Sequence, residues 1–111
     1  MTLDRLFGTF ADIGYAAVEL WARPDDFEEV VKLAKKHGLV VASMIGHASL
    51  TDGLTKRSNH DRIEAELRTS IEVAAHHGIP GLICLSGNRQ PYQSEIEAIE
   101  AVADGLRRVA S

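Results

Sequence analysis

The sequence is poor in cysteine and has no long apolar run. A single cysteine, Cys84, excludes a disulfide within the chain and is typical of a protein from a reducing compartment. No segment approaches the ~18 consecutive apolar residues that a transmembrane helix needs. The first residues also lack the charged-then-apolar order of a signal peptide. We therefore expect a cytoplasmic protein without a membrane segment.

Basic clusters are equally scarce. The chain has 12 Lys and Arg against 16 Asp and Glu, for a formal net charge of −4. The only basic doublets, Lys35-Lys36 and Arg107-Arg108, fall in the last turns of predicted helices, where cations stabilise the helix dipole. Because binding to a phosphate backbone requires a cationic surface, we expect no nucleic-acid partner.

The length favours a single domain. With 111 residues and 45% hydrophobic residues, the chain is large enough for one core of modest size. No linker, low-complexity segment or charge block divides it, so we predict one domain over residues 1–111.

An amphipathic helix is followed by a glycine and then an apolar strand three times. The glycines are Gly14, Gly38 and Gly78. The pattern predicts strands over 16–20, 39–45 and 81–85, and four helices over about 2–13, 25–37, 59–77 and from 94 onward. Such alternation is typical of a parallel sheet in an α/β fold.

Several local signals refine this prediction. Thr2 is a candidate N-cap, and Asp25 with Glu28 and Ser94 with Glu97 have the spacing of capping boxes. In the last helix the larger apolar residues are predicted to face inward: Ile96, Ile99, Val102, Ala103, Leu106 and Val109. Cys84, near the end of the third strand, is expected to be a small core residue.

Polar residues follow each predicted strand. The three clusters are Glu19-Leu20-Trp21, Gly46-His47-Ala48-Ser49 and Ser86-Gly87-Asn88-Arg89. The carboxyl ends of parallel strands lie at one edge of a sheet, which is where α/β proteins bind small molecules. We therefore expect the binding site at this edge.

Glu19 and His47 are the candidate catalytic residues. A carboxylate at a strand end can orient a substrate hydroxyl, although it can equally pair with a neighbouring arginine. Histidine can move a proton or donate to a substrate oxygen, although a lone histidine is often structural. His47 is also a candidate substrate-binding residue.

Four further residues are candidate substrate-binding groups. Arg89 offers a planar fork suited to carboxylates and phosphates, and the neighbouring Asn88 is a polar partner. Trp21 can wall a pocket or pack at the end of the sheet, and Ser49 can bind an anion or only solvate its loop. A strand-to-helix turn with a solvated arginine is the alternative for Asn88 and Arg89.

No spacing of histidine, cysteine and acidic residues predicts a metal site. His76 and His77 are neighbours on a predicted helix, and adjacent helical residues do not face the same direction. Zinc needs three or four converging ligands. From spacing alone, we assign no metal ligand and no bound cofactor to this chain.

The motifs resemble one family. The segment Gly78-Ile79-Pro80-Gly81-Leu82-Ile83-Cys84-Leu85-Ser86-Gly87-Asn88-Arg89 resembles the fourth strand of hydroxypyruvate isomerase-like proteins, which belong to the sugar phosphate isomerase/epimerase group. Gly46-His47-Ala48-Ser49-Leu50 and the downstream Asn59-His60-Asp61-Arg62-Ile63 resemble the loop after its third strand. Residues 13–20 resemble its second strand. The similarity extends from Leu3 to Val109.

The resemblance implies a partial (β/α)8 TIM barrel of the xylose isomerase-like type, with about three strands and four helices. Family members isomerise or epimerise small hydroxy-carbonyl compounds or sugar phosphates. They use a divalent metal such as Mg²⁺ or Mn²⁺ and a pair of glutamates from the fifth to eighth strands. We expect those strands and the first strand to be missing here. A C-terminal half or further copies of the chain would then complete the barrel.

Three alternatives from other classes stay open at this stage. A partial barrel can be a non-catalytic module that binds small anions or assembles with a partner. An independent flavodoxin-like fold would need a glycine-rich phosphate loop after the first strand, which the sequence lacks. A DNA-repair nuclease of the same barrel superfamily is disfavoured by the acidic charge balance.

Overall fold

A computed structural model gives the structure of the chain and describes residues 1–48 and 50–110. Four helices are present: α1 (Leu3–Ile13), α2 (Phe27–Lys36), α3 (His60–His77) and α4 (Glu95–Arg107). The three strands are β1 (Ala17–Leu20), β2 (Val40–Ile45) and β3 (Gly81–Ile83), and a 3₁₀ turn spans Arg57–Asn59. No helix among the described residues is long and apolar enough to cross a membrane.

The strands form one parallel sheet in the order β1-β2-β3. This α/β arrangement confirms the predicted fold class and is that of a partial TIM barrel. β1 and β2 pair from Ala17 opposite Val40 to Leu20 opposite Met44, with a register shift between Val18 and Glu19. Such an irregularity changes which side chains of the two strands lie opposite each other near the strand ends.

The chain forms two compact units. The first comprises Met1–Ile45 with Ala74–Leu82, and the second comprises Gly46–Val73 with Ile83–Ser111. Each unit has its own buried apolar side chains. In the first these come from α1, α2 and β2 and their flanks, and include Phe7, Phe27, Val31, Leu39 and Met44. The single-domain expectation stays a prediction.

Local sequence explains where the helices begin and end. Thr2 accepts a hydrogen bond from the Arg5 amide, and Gly14 ends α1 in the left-handed conformation with φ 111°. Asp4, at the start of α1, contacts Lys36 and His37 at the end of α2, with His37 Nε2 2.6 Å from Asp4 Oδ1. Hydrogen bonds from His37 and Lys36 lower the pKa of Asp4.

Leu54, Ile63 and Leu67 form the buried cluster of the second unit, with Val102 and Val109 packed against it. The prediction that Ile96, Ile99 and Leu106 face inward is wrong: these side chains are exposed, and Ala98, Ala101 and Gly105 are buried instead. The reason is a close approach, because a Cβ added at Gly105 would lie 2.8 Å from Leu54 Cδ2. Only the small-residue face of α4 fits there.

Two other predictions are corrected. The capping box of Asp25 and Glu28 is absent: α2 begins after Asp26, whose side chain makes no capping hydrogen bond. Asp26 has φ −90° and ψ 26°, outside the extended conformation that usually directs an N-cap side chain onto the helix amides. Cys84 is exposed rather than in the core, because β3 ends at Ile83.

The capping box of α4 is formed as predicted. Ser94 Oγ accepts from the Glu97 amide, and the Glu97 carboxylate accepts from the Ser94 amide. We expect Ser94→Ala to reduce the free energy of unfolding by about 1 kcal/mol, because the Glu97 amide loses the hydroxyl that accepts its hydrogen bond and the capping box is broken. Urea denaturation measures this loss. Asp26→Ala is the matched control and should cost much less, and equal losses in both variants would contradict the assignment.

Candidate functional site

Glu19 and Trp21 lie at the carboxyl end of β1. Both are exposed, while Leu20 between them is partly buried, as strand alternation predicts. The β1–β2 register places Glu19 opposite Ser43. The Ser43 hydroxyl is buried and has no hydrogen-bond partner among the described residues. Sequence reasoning missed Ser43, because it lies inside the most apolar strand and no motif marks it.

The remaining predicted residues belong to the second unit. Backbone hydrogen bonds join its long connection from β2 to α3 to the segment that follows β3. The Gly46 amide donates to the Ile83 carbonyl, the Thr55 amide to the Ser86 carbonyl, and the Asn88 amide to the Thr51 carbonyl, at 2.7–2.9 Å. These bonds explain why β3 ends earlier than predicted: beyond Ile83 the backbone pairs with this connection.

The His47 side chain also joins these two segments. Its side chain is 3% exposed, and Nε2 accepts a hydrogen bond from the Leu85 amide at 2.9 Å. Because an amide can only donate, a neutral imidazole carries its proton on Nδ1. The Nδ1 atom is buried without a partner in the described part of the chain. Burial lowers the pKa of His47, so the neutral form is favoured.

His47 therefore acts here as a link between the two segments, with its Nε2 lone pair already engaged. Its predicted roles in proton transfer and substrate binding stay predictions. The same holds for Ser49, which lies outside the described residues.

Two glycines allow the connection and the segment after β3 to cross. A Cβ added at Gly53 would lie 2.6 Å from the Gly87 nitrogen and 2.7 Å from the Leu85 carbonyl oxygen. Gly87 has φ 78°, a conformation that favours glycine. The absence of a Cβ at Gly87 allows the backbone of Gly53 to approach it closely.

Arg89 follows the crossing and is held by a buried glutamine. Its Nη1 donates to the Gln93 carbonyl at 2.9 Å. The Gln93 side chain donates from Nε2 to the Thr55 carbonyl at 2.7 Å and accepts at Oε1 from the Gln90 amide at 3.0 Å. Thr55 Oγ1 also donates to the Asn88 carbonyl. The supporting residues Thr55 and Gln93 were missed because the hydrogen bond between them spans 38 residues of sequence.

Arg89 also lines a cleft of about 610 Å³. One wall carries the polar residues of the segment after β3, and the other is an apolar face of α4. A volume in this range is sufficient for a small organic molecule. The lining residues are Thr55, Ser86, Gly87, Arg89, Glu95, Ala98, Ile99, Val102, Ala103 and Leu106.

The predicted site residues thus fall into two groups. His47, Asn88 and Arg89 lie in the second unit, with His47 bonded to Leu85 and Asn88 bonded to Thr51. Glu19 and Trp21 lie in the first unit. Each group is positioned by its own contacts.

Comparison with family models identifies the fold. The model for the xylose isomerase-like TIM barrel matches residues 7–111. The chain belongs to the xylose isomerase-like TIM barrel family. No significant match exists among curated proteins or among solved structures. Membership in this barrel family indicates a sugar isomerase/epimerase-like function.

The strand ends of the described residues do not fit the divalent metal that the family resemblance implies. Among the described residues, the one group of three or more convergent metal-binding side chains lies on helices, not at strand ends. At the strand ends, His47 Nε2 is engaged by the Leu85 amide.

The crossing of Gly53 and Gly87 generates a stability prediction. Gly53→Ala would force a methyl group into backbone atoms, and we expect it to lower the free energy of unfolding by about 2 kcal/mol or more. Gly81→Ala is the matched control, because its Cβ would meet its nearest atom at 3.4 Å. Denaturant titration of both variants gives the comparison. A Gly53→Ala protein as stable as Gly81→Ala would show that the two segments do not cross this closely.

The buried imidazole generates a pH prediction. Because burial holds the pKa of folded His47 below its ordinary value of 6.5, the unfolded chain binds more protons just below pH 6.5. The contribution of His47 to stability is therefore complete above that pH and is lost as the pH falls. The loss is at most about 1.4 kcal/mol per pH unit.

His47→Gln keeps an acceptor for the Leu85 amide but does not titrate. We expect the variant to lose less stability than the parent when urea denaturation is compared at about pH 7.5 and about pH 5.5. Equal losses in the two proteins would mean that His47 is not buried as a neutral group.

Proposed function

We propose that this chain acts in the isomerisation of a small hydroxy-carbonyl compound, with hydroxypyruvate as the first candidate substrate, and that the described residues supply substrate binding. The family match supports the reaction class. The observation that carries the binding role is the position of Arg89 in the cleft beside α4.

Arg89 suits a carboxylate for a geometrical reason. A guanidinium has five donors in a planar fork, and the bond to the Gln93 carbonyl uses one of them. That bond holds the side chain, and buried Gln93 is itself held by Thr55 and Gln90. A carboxylate that binds Arg89 would meet a side chain whose orientation is already set, which lowers the entropy cost of binding.

The apolar wall of the cleft complements this charge. Ile99, Val102 and Leu106 would shield the ion pair from water, which strengthens the attraction between guanidinium and carboxylate. A small α-keto acid has the required features, with a carboxylate at one end and a short carbon chain at the other. A sugar phosphate offers the same anionic contact and is the second substrate class to test.

The reaction itself moves a proton between adjacent carbons. A base removes the proton from the carbon that bears the hydroxyl group, and the electron pair forms the double bond of an ene-diolate. The proton then returns to the former carbonyl carbon. Glu19 of the first unit stays a candidate base because its carboxylate is exposed at a strand end, and we do not assign it to the Arg89 cleft of the second unit. His47 is less suited to accept this proton, because its Nε2 already accepts a hydrogen bond from the Leu85 amide and holds the connection between β2 and α3 in place.

The second candidate function is a non-catalytic module that binds small anions. It is favoured by one observation: among the described residues that line the Arg89 cleft, Glu95 is the single carboxylate and none is a histidine. We accordingly expect the chain by itself to bind hydroxypyruvate without turning it over. Assembly with a second copy of the chain, or with the remaining part of a barrel, would be the route to activity.

The binding prediction rests on Arg89. We expect Arg89→Gln to weaken hydroxypyruvate binding at least fivefold, because an ionic hydrogen-bonded pair is lost. Isothermal titration calorimetry of the untagged chain measures this change. Arg107→Gln is the matched control, since Arg107 is an exposed arginine that pairs with Asp104 near the end of α4. Unchanged affinity in Arg89→Gln would contradict the binding role.

Turnover is tested separately with Mg²⁺ and Mn²⁺ present. Metal-dependent isomerisation of hydroxypyruvate by the highly purified chain would show that it is catalytically complete and would overturn the non-catalytic alternative. Binding without turnover supports the narrower role.

A further inference from the structure

The ends of two helices bring three metal-binding side chains together in the first unit. Glu28 lies in the first turn of α2, and His76 and His77 are the last two residues of α3. One ligand atom from each side chain lies within 4.8 Å of the other two. The expectation that adjacent helical histidines diverge is wrong here, because the His76 and His77 rings lie close together. The carboxylate from α2 supplies the third ligand that spacing along the chain did not reveal.

Packing of the neighbouring residue holds this junction in place. Phe27 is buried, and its ring meets the ring of His77 edge-on, with centroids 5.3 Å apart. The His76 and His77 rings are themselves 4.9 Å apart and nearly perpendicular. Because Phe27 directly precedes Glu28, the same contact that anchors the start of α2 places the Glu28 carboxylate beside both imidazoles.

The spacing is close to what a metal ion needs. A tetrahedral ion with bonds of about 2.1 Å holds its ligand atoms about 3.4 Å apart. Closing from 4.8 Å requires small side-chain rotations, and Glu28 and His76 are exposed and have room for them. No hydrogen bond or ion pair with another described residue competes for these three side chains. His37, by contrast, is paired with Asp4.

The electrostatics also favour a cation at this position. The carboxyl end of α3 presents backbone carbonyls with partial negative charge, and Glu28 adds a full negative charge that outweighs the partial positive charge at the start of α2. Each imidazole can bind a metal through the lone pair of a ring nitrogen. The junction therefore offers a cation both ligands and a favourable field.

We propose that Glu28, His76 and His77 form a binding site for a zinc-class divalent ion. Two imidazoles and one carboxylate form a ligand set that zinc uses with a fourth position left open to water. Imidazole ligands favour Zn²⁺, Cu²⁺ and Ni²⁺, whereas Mg²⁺ and Ca²⁺ favour oxygen ligands alone. The bound ion would join the start of α2 to the end of α3. This site is separate from the Arg89 cleft and does not depend on the proposed function.

The test is metal binding by the untagged, chelator-treated chain. Titration calorimetry with Zn²⁺ should give one ion per chain, and Mg²⁺ should give no binding heat. Co²⁺ should bind in the same place and give the strong visible absorption of a four- or five-coordinate ion.

Matched variants assign the ligands. Glu28→Gln and His76→Gln should each weaken Zn²⁺ binding at least tenfold, while Glu29→Gln, one residue further along the same turn, should not. Circular dichroism confirms that each variant is folded. Equal Zn²⁺ affinity in Glu28→Gln and in the parent chain would overturn the proposal. Half an ion per chain together with a doubled mass would also overturn it, because the ion would then bridge two copies.

Discussion

The crossing of two backbone segments at Gly53 and Gly87 is the constraint on which the second unit depends. The two backbones approach so closely that a Cβ at either glycine would meet main-chain atoms of the other segment. This contact brings Thr51 and Thr55 within hydrogen-bonding distance of Asn88 and Ser86. It turns a long connection, which on length alone would be a mobile loop, into a supported part of the structure.

Two buried polar side chains extend this constraint toward the cleft. His47 links the beginning of the connection to Leu85. The Gln93 side chain binds the Thr55 carbonyl, and the backbone carbonyl of Gln93 binds Arg89. Each buried amide or imidazole that finds a partner avoids a desolvation cost of about 1–3 kcal/mol, so these links fix geometry as well as adding stability. The Nδ1 atom of His47 and the hydroxyl of Ser43 remain without partners among the described residues. In a native protein such buried groups are rare and call for a functional or structural partner.

Family membership and local geometry answer different questions about this chain. The match over residues 7–111 establishes the barrel family and indicates a sugar isomerase/epimerase-like function. The described side chains, however, supply an arginine cleft and no strand-end metal cluster. Fold alone does not fix function, and the residues present here argue for binding more directly than for proton transfer.

Periodicity, glycines and caps in the sequence by themselves determined the helices, the strands and their parallel α/β class. Those signals are local, and they correctly predicted the helix ends at Thr2, Gly14 and Ser94. The sequence alone could not show which face of α4 is buried, because the close approach of Leu54 to Gly105 is a contact between distant segments. For the same reason, only the tertiary structure joined Gln93, which holds Arg89, to Thr55 and brought Glu28 to His76 and His77. Packing across the fold decides such contacts, and residue spacing along the chain does not record them.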